Sequence, residues 1–192
     1  MTNKRKVFAF IDATNIIYGA DDHGWRMDYK KLANFLTARF EIKKILYYAG
    51  VDNQNLKQLN FYEKLQDFGY SLRLVPVKKF ADGKKKADVD SRMTFEMMLY
   101  LQSYNEVVVM TGDGDYYWVL EYLRRAKKRV ILLSFPSHTA KELKILFGGN
   151  FMDLNDVKEN LEFNNKNATD PIKVSVARDY RVTLTKKRVT VK

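Results

Sequence analysis

The chain has 192 residues, 46% hydrophobic and 14% aromatic, with 34 Lys and Arg against 23 Asp and Glu for a formal charge of +11. That apolar content can build a core for one domain, with or without a tail, and it excludes wholesale disorder. There is no cysteine and there are only two histidines, which excludes disulfides, zinc ribbons and thiol catalysis and argues against a His-rich metal site. No apolar run approaches the roughly 18–20 residues that span a bilayer. Residues 1–6 pass straight into a short strand-like run without the apolar segment of a signal peptide. A soluble, cytoplasmic protein is the expectation.

The excess charge is unevenly placed. Residues 164–192 hold eight Lys and Arg and two Asp and Glu, so this stretch carries +6 of the +11. Lysine and arginine bind phosphates by displacing condensed counterions, so a polyanionic partner is one reading; a solubilising surface with a loose basic tail is the other.

In chain order, short β-rich runs alternate with longer helical patterns. Residues 7–11 (VFAFI) are apolar without alternation, as in a strand buried on both faces. Residues 28–40 place Leu32, Phe35, Leu36 and Phe40 at helical spacing behind Asp28 as N-cap. A strand over 45–49 precedes a helix over 55–68 that stops at Gly69. Residues 71–77 alternate and contain Pro76, which favours a strand at or near a sheet edge. Residues 78–86 read as a lysine-rich loop and 88–101 as a long helix, with Met93, Met97, Met98 and Tyr100 read as core. The clearest central strand is 106–110 (EVVVM); helix follows over 115–126, strand over 129–133, helix over 139–147, and a short strand over 151–154 before a last helical turn. Strands separated by helices imply βαβ units, and hence an α/β three-layer sandwich around a mainly parallel sheet.

The domain is expected over residues 1–163, with 164–192 as a basic extension. Its alternating valines suit either a β-ribbon turning at Lys186, Lys187 and Arg188 or a segment that orders only on a partner.

Ligands of open α/β sheets bind beyond the carboxyl ends of the strands. The first strand exits into Asp12-Ala13-Thr14-Asn15, the central one into Thr111-Gly112-Asp113-Gly114-Asp115, and the long helix opens with Asp88 and Asp90. Carboxylates gathered at one edge repel one another and need protons or cations to coexist. A hard divalent ion, Mg²⁺ or Mn²⁺, satisfies them and suits phosphodiester hydrolysis. Each signal has a plain structural reading as well: Asp88, Asp90 and Asp115 suit helix starts, and Asn15 can cap. Asp12, a charge after a buried strand, has the least structural reason to be there. Lys84, Lys85 and Lys86 are either a solvated loop or a phosphate clamp before Asp88. Tyr18, His23 and Trp25 fall in a loop after the first strand, where aromatics either stack unpaired bases or pack.

FIDATNI at 10–16, KKADVD at 85–90 and TGDGDY at 111–116 together resemble the signature blocks of the NYN domain, the LabA-like branch of the PIN-like nuclease superfamily. The resemblance covers about residues 5–155. It implies a Rossmann-like, PIN-like sheet, an acidic Mg²⁺/Mn²⁺ site and, as in several members, ribonuclease activity. Asp12, Asn15, Asp88, Asp113 and Asp115 match the family's positions. Two residues depart from the pattern: Ala13 replaces a common glycine, and Thr94 stands where many relatives carry a further acid. Asp90 or Glu96 could compensate, although Asp90 lies about 200° round a regular helix from Asp88.

The leading expectation is a metal-dependent ribonuclease acting on single-stranded or structured RNA. Asp12, Asp88, Asp113 and Asp115 would hold the ion, and Asn15 and Thr111 would orient water or phosphate. The alternative is a catalytically silent nucleic-acid-binding or assembly module. A haloacid-dehalogenase-type phosphatase needs Asp-x-Asp after the first strand, and the second acid is Thr14 here. No Gly-rich dinucleotide motif follows that strand either.

Overall fold

The computed structural model describes residues 5–79 and 85–164. Lys84 and the basic extension from residue 165, including Lys186, Lys187 and Arg188, lie outside the described residues.

The chain begins with β1 (Val7–Asp12) and runs straight into α1 (Ala13–Asp22). The elements α2 (Tyr29–Phe40), β2 (Ile42–Val51), α3 (Leu56–Asp67) and β3 (Tyr70–Pro76) follow. An antiparallel pair, β4 (Lys78–Lys79) and β5 (Lys85–Lys86), leads into α4 (Val89–Leu99) and β6 (Glu106–Met110). A 3-10 turn at Gly114–Tyr116 opens α5 (Tyr117–Arg125), and β7 (Arg129–Ser134) follows. Then come a 3-10 turn at Pro136–His138, α6 (Lys141–Phe147), β8 (Phe151–Asp153) and α7 (Lys158–Leu161).

The sheet is six-stranded and parallel throughout, in the order β3-β2-β1-β6-β7-β8. Pro76 closes the edge strand β3, where a missing N–H costs no ladder bond. The chain lays strands outward from β1 on one side, then returns to start β6 on the other, so the topological switch point falls between β1 and β6. Every residue of β6 is buried, as expected of a central strand with both faces covered.

Two hydrophobic layers sandwich the sheet. On one face α1, α2, α3 and α7 pack against Val7, Ala9, Ile11 and Tyr47; on the other α4, α5 and α6 pack against Phe10, Leu46, Tyr48 and Val109. Phe10 is wholly buried, near parallel to Tyr48 at 6.1 Å and edge-on to Tyr104 at 5.9 Å. Truncating such a ring to alanine typically costs about 3–5 kcal/mol. Met93 and Met97 belong to this core, whereas Met98 is 38% exposed and Tyr100 only half-buried. No helix among the described residues is long and apolar enough to cross a membrane.

The segment after β1 departs from the expected loop. Ala13, Ile16 and Ala20 recur at helical spacing and are buried, and Asp12 caps the helix by accepting from the Asn15 N–H at 3.3 Å. Tyr18 is therefore helical, and Trp25 is 3% exposed against Phe135, so it is a packing residue rather than a stacking surface. His23 closes α1, with Nδ1 2.7 Å from the Gly19 carbonyl and Nε2 3.3 Å from Ser137 Oγ. Its ring nitrogens are thus engaged by Gly19 and Ser137.

Candidate metal centre

Three segments meet at the carboxyl ends of β1 and β6. Asp12 ends β1 and is 3% exposed. Its Oδ2 accepts from Asn15 Nδ2 at 3.0 Å and from Thr111 Oγ1 at 3.3 Å. Asn15 Oδ1 in turn accepts from the Gly112 N–H at 3.1 Å, and Thr111 Oγ1 accepts from the Asp113 N–H at 3.2 Å. The ends of the two central strands are thereby stitched together through side chains. Burial, reinforced by the Asp90 and Asp113 charges and opposed by the Asn15 hydrogen bonds, pushes the Asp12 carboxyl from its ordinary 3.8 up to about 6.

Packing against backbone requires Gly112, whereas Gly114 chiefly faces the movable end of a glutamate. A Cβ on Gly112 would stand 1.9 Å from the His138 carbonyl oxygen, and one on Gly114 would stand 2.6 Å from Glu142 Oε1. The loop after β6 is pressed against the segment that opens α6, and Ala140 donates its N–H to the Gly112 carbonyl at 2.9 Å. That pressure fixes Asp113 and Asp115. Asp113 Oδ1 caps the 3-10 turn by accepting from the Asp115 N–H at 3.0 Å.

The third carboxylate is Asp90, in the first turn of α4. The phenol of fully buried Tyr116 donates to Asp90 Oδ1 at 3.0 Å. Burial and the neighbouring Asp113, Asp115 and Asp88 carboxylates raise the Asp90 pKa against the lowering effect of that hydrogen bond. One oxygen each from Asp90, Asp113 and Asp115 lies within 4.8 Å of the others. Asp90 and Asp113 each commit one oxygen to the protein, and the other remains available.

Here the expectation that Asp88 faces the site and Asp90 turns away is reversed. Asp88 is the exposed N-cap of α4 and accepts from the Ser91 N–H at 3.4 Å. Its backbone (φ −83°, ψ 69°) is not helical, so the 100° per residue that relates side chains within a helix does not run from Asp88 to Asp90. The Ser91 hydrogen bond, helped by Lys86 and Lys78, lowers the Asp88 pKa, the ordinary state of a solvated cap. Glu96 does not join the acids either: it accepts from Tyr48 OH at 3.0 Å and from Arg73 Nε at 2.6 Å, and pairs with Arg92 at 3.2 Å. Lys86 is exposed beside Asp88, and the backbones of Lys85 and Lys86 pair with β4.

Among the described residues no Lys or Arg pairs with Asp12, Asp90, Asp113 or Asp115. An all-oxygen set of carboxylates, with no thiol or imidazole donor among them, fits a hard divalent cation. The residues present therefore suit the metal that this architecture implies.

Known proteins share this fold. A solved structure of a protein of unknown function from Vibrio parahaemolyticus has the same fold, with a TM-score of 0.72 and 23% identity over 85% of this chain and 99% of that one. The low amplitude and bright protein LabA of Synechococcus elongatus is 28% identical over 161 residues, 80% of this chain and 86% of its own length. The family model for the NYN domain matches residues 6–155, the span that contains the whole sheet and all four gathered carboxylates, and on that match the chain belongs to the NYN domain family, built on a PIN-like nuclease fold.

Proposed function

We propose that the protein is a divalent-metal-dependent ribonuclease that hydrolyses RNA phosphodiester bonds, with Mg²⁺ or Mn²⁺ as its ion. The observation that supports this most is the set of converging carboxylates, unpaired by any described cation, at the switch point of the sheet. Asp90, Asp113 and Asp115 would hold the ion, with Asp12 behind them. A bound ion would neutralise phosphate charge and activate water for attack at phosphorus.

The chain's own residues do the positioning. Asn15 and Thr111 lock Asp12 Oδ2 in one orientation. Tyr116 and the Asp115 N–H each take one oxygen of Asp90 and Asp113 and turn the other outward. Lys86, exposed beside the Asp88 cap, offers a phosphate contact, and the basic extension offers others, which position a strand without reading its sequence.

A second reading, a catalytically silent nucleic-acid-binding module, rests on one observation. Thr94 replaces an acid, and Glu96, two residues on in α4, is fully engaged by Tyr48, Arg73 and Arg92. Incubation of the full chain with end-labelled RNA in Mn²⁺, Mg²⁺ or EDTA, beside Asp113→Asn, separates the two. Divalent-dependent cleavage lost in Asp113→Asn supports the nuclease. Undiminished cleavage by the variant refutes the proposed centre, and RNA binding without cleavage under any ion supports the silent module.

A further inference from the structure

Six of the seven large apolar side chains exposed among the described residues lie on one helical layer: Phe95, Met98 and Leu99 on α4, Trp118 and Tyr122 on α5, and Ile145 on α6. Trp118 is 75% exposed, which is unusual for the largest side chain in a folded domain. Its position relates directly to the acid cluster. Asp115 sits in the 3-10 turn that runs into α5, so Asp115, Trp118 and Tyr122 follow one another at i, i+3 and i+7. Side chains at such spacings are surface neighbours, about 5–6 Å apart at Cβ. A row thus leads from a cluster carboxylate down the outer face of α5, first to an indole and then to a phenol. On the adjoining helix α4, Phe95, 63% exposed, follows Asp90 by five residues.

The charges on these three helices are of both signs. Arg92, Arg124 and Arg125 are exposed on α4 and α5, and Lys141, Glu142 and Lys144 on α6, with Arg92 paired to Glu96. Glu121 pairs with Arg125 at 2.5 Å. Two copies of the chain, each of net +11, repel one another at long range, whereas a polyanion is attracted. A polyanion carrying flat rings complements both features at once.

We propose that Trp118 and Tyr122 form a stacking platform for unpaired bases, which makes single-stranded nucleic acid the form of substrate delivered to the acid cluster. This rests on the nuclease reading for the word substrate, but the binding it describes is tested independently of cleavage. The bases of a duplex stack on one another and offer no free faces to the indole, so the platform discriminates by strandedness and tolerates any sequence.

The chain contains a convenient reporter. Of its two tryptophans, Trp25 is 3% exposed in the core, so a fluorescence change on adding ligand is assigned to Trp118. The full chain in EDTA is titrated with a labelled oligouridylate of about 12 nucleotides, within the span of one single-strand site, and with an RNA duplex of the same length. Quenching by the single strand is expected, with a weakening of about 5- to 100-fold in Trp118→Ala. Trp118→Phe should retain most of the affinity, and duplex affinity should not move. Trp118 is on the surface, so the variants keep the fold, and a thermal melt checks this.

Equal single-strand affinity in wild type and Trp118→Ala overturns the platform, as does an equal loss for duplex. Sedimentation that shows a dimer dissolved by Trp118→Ala overturns it in favour of a second copy of the chain. The cleavage assay distinguishes the two proposals. Divalent-dependent cleavage with no role for Trp118 leaves the nuclease standing and removes the platform. Trp118-dependent binding without cleavage leaves the platform standing and removes the nuclease.

Discussion

The protein buries carboxylates at both ends of its central strands and treats them in opposite ways. At the amino end of β6, Glu106 is 5% exposed and meets Arg5 through two hydrogen bonds of 2.8 and 2.6 Å, with Arg129 at 3.5 Å. At the carboxyl end of β1, Asp12 is 3% exposed and meets an amide, a hydroxyl and more carboxylates. A buried charge given arginine partners is neutralised and ties Arg5, just before β1, to β6. One left among like charges is poised to meet a cation from outside the chain. The comparison shows that burial of an acid alone does not mark function; the sign of what surrounds it does.

The largest effect should come from removing charge at the unbalanced end. Asp90→Asn or Asp113→Asn should lower divalent-dependent RNA cleavage on the order of 10³-fold, the scale of losing electrostatic support for a developing charge. Asp88→Asn, at an exposed cap, should cost less than about threefold by the same scale. Parallel rate measurements on the three variants check this, and a greater loss from Asp88→Asn than from Asp90→Asn would mean that α4 presents its other side to the site.

Glu106→Gln should act in the opposite sense, on stability and not on chemistry. It removes the partner of Arg5 and Arg129, which are 40% and 62% exposed, so solvent screening limits the loss to about 1–2 kcal/mol. Urea denaturation measures it, with kcat of the remaining folded protein unchanged.

Asp12→Asn should move stability the other way in metal-free protein at pH 7.5. Asp12 has a folded pKa of about 6 against an ordinary 3.8, so the native state holds the proton more tightly. Its contribution to stability is fully present below about 3.8 and is lost as pH rises through about 6. The variant should lack that fall. The gain relative to wild type between pH 4 and pH 7.5 should be about 1–3 kcal/mol, less whatever the amide forfeits against Asn15. Denaturation in EDTA at both pH values measures it, and an identical pH dependence in the two proteins would refute the assignment.

A further effect is a thermal shift. Mn²⁺ at about 100 times its dissociation constant should stabilise wild type by about 2.7 kcal/mol, which is several degrees for a chain of this size. Asp113→Asn should show almost none of it, and Glu106→Gln should show all of it.

The fold was legible because its central elements carry strong patterns. The unbroken apolar runs at 7–11 and 106–110 mark strands covered on both faces, and Pro76 marks the edge. Helix α1 was not read because Asp12 serves two purposes. It is the site residue, and the same carboxylate caps a helix that starts with no intervening loop; Ile16, Ile17 and Ala20 were the available signal. Asp90 was misplaced for a related reason. Sequence alone does not say whether an aspartate opens a helix from outside or from within, and one residue of difference rotates the side chain by about 100°. What demands Gly112 is the His138 carbonyl pressed against it, which lies more than twenty residues downstream and is invisible locally.

The order of the strands has an engineering consequence. Residues up to β3 supply Asp12 and one half of the sheet, while α4 and everything after it supply Asp90, Asp113, Asp115 and the other half. Contact between β1 and β6 is the seam where the two halves join. A chain cut between β3 and α4 would leave two fragments, neither holding the full set of acids. Fused to a pair of interacting proteins, such fragments would regain the proposed cleavage only when those proteins met, so the switch point that makes the site would also make it a split reporter.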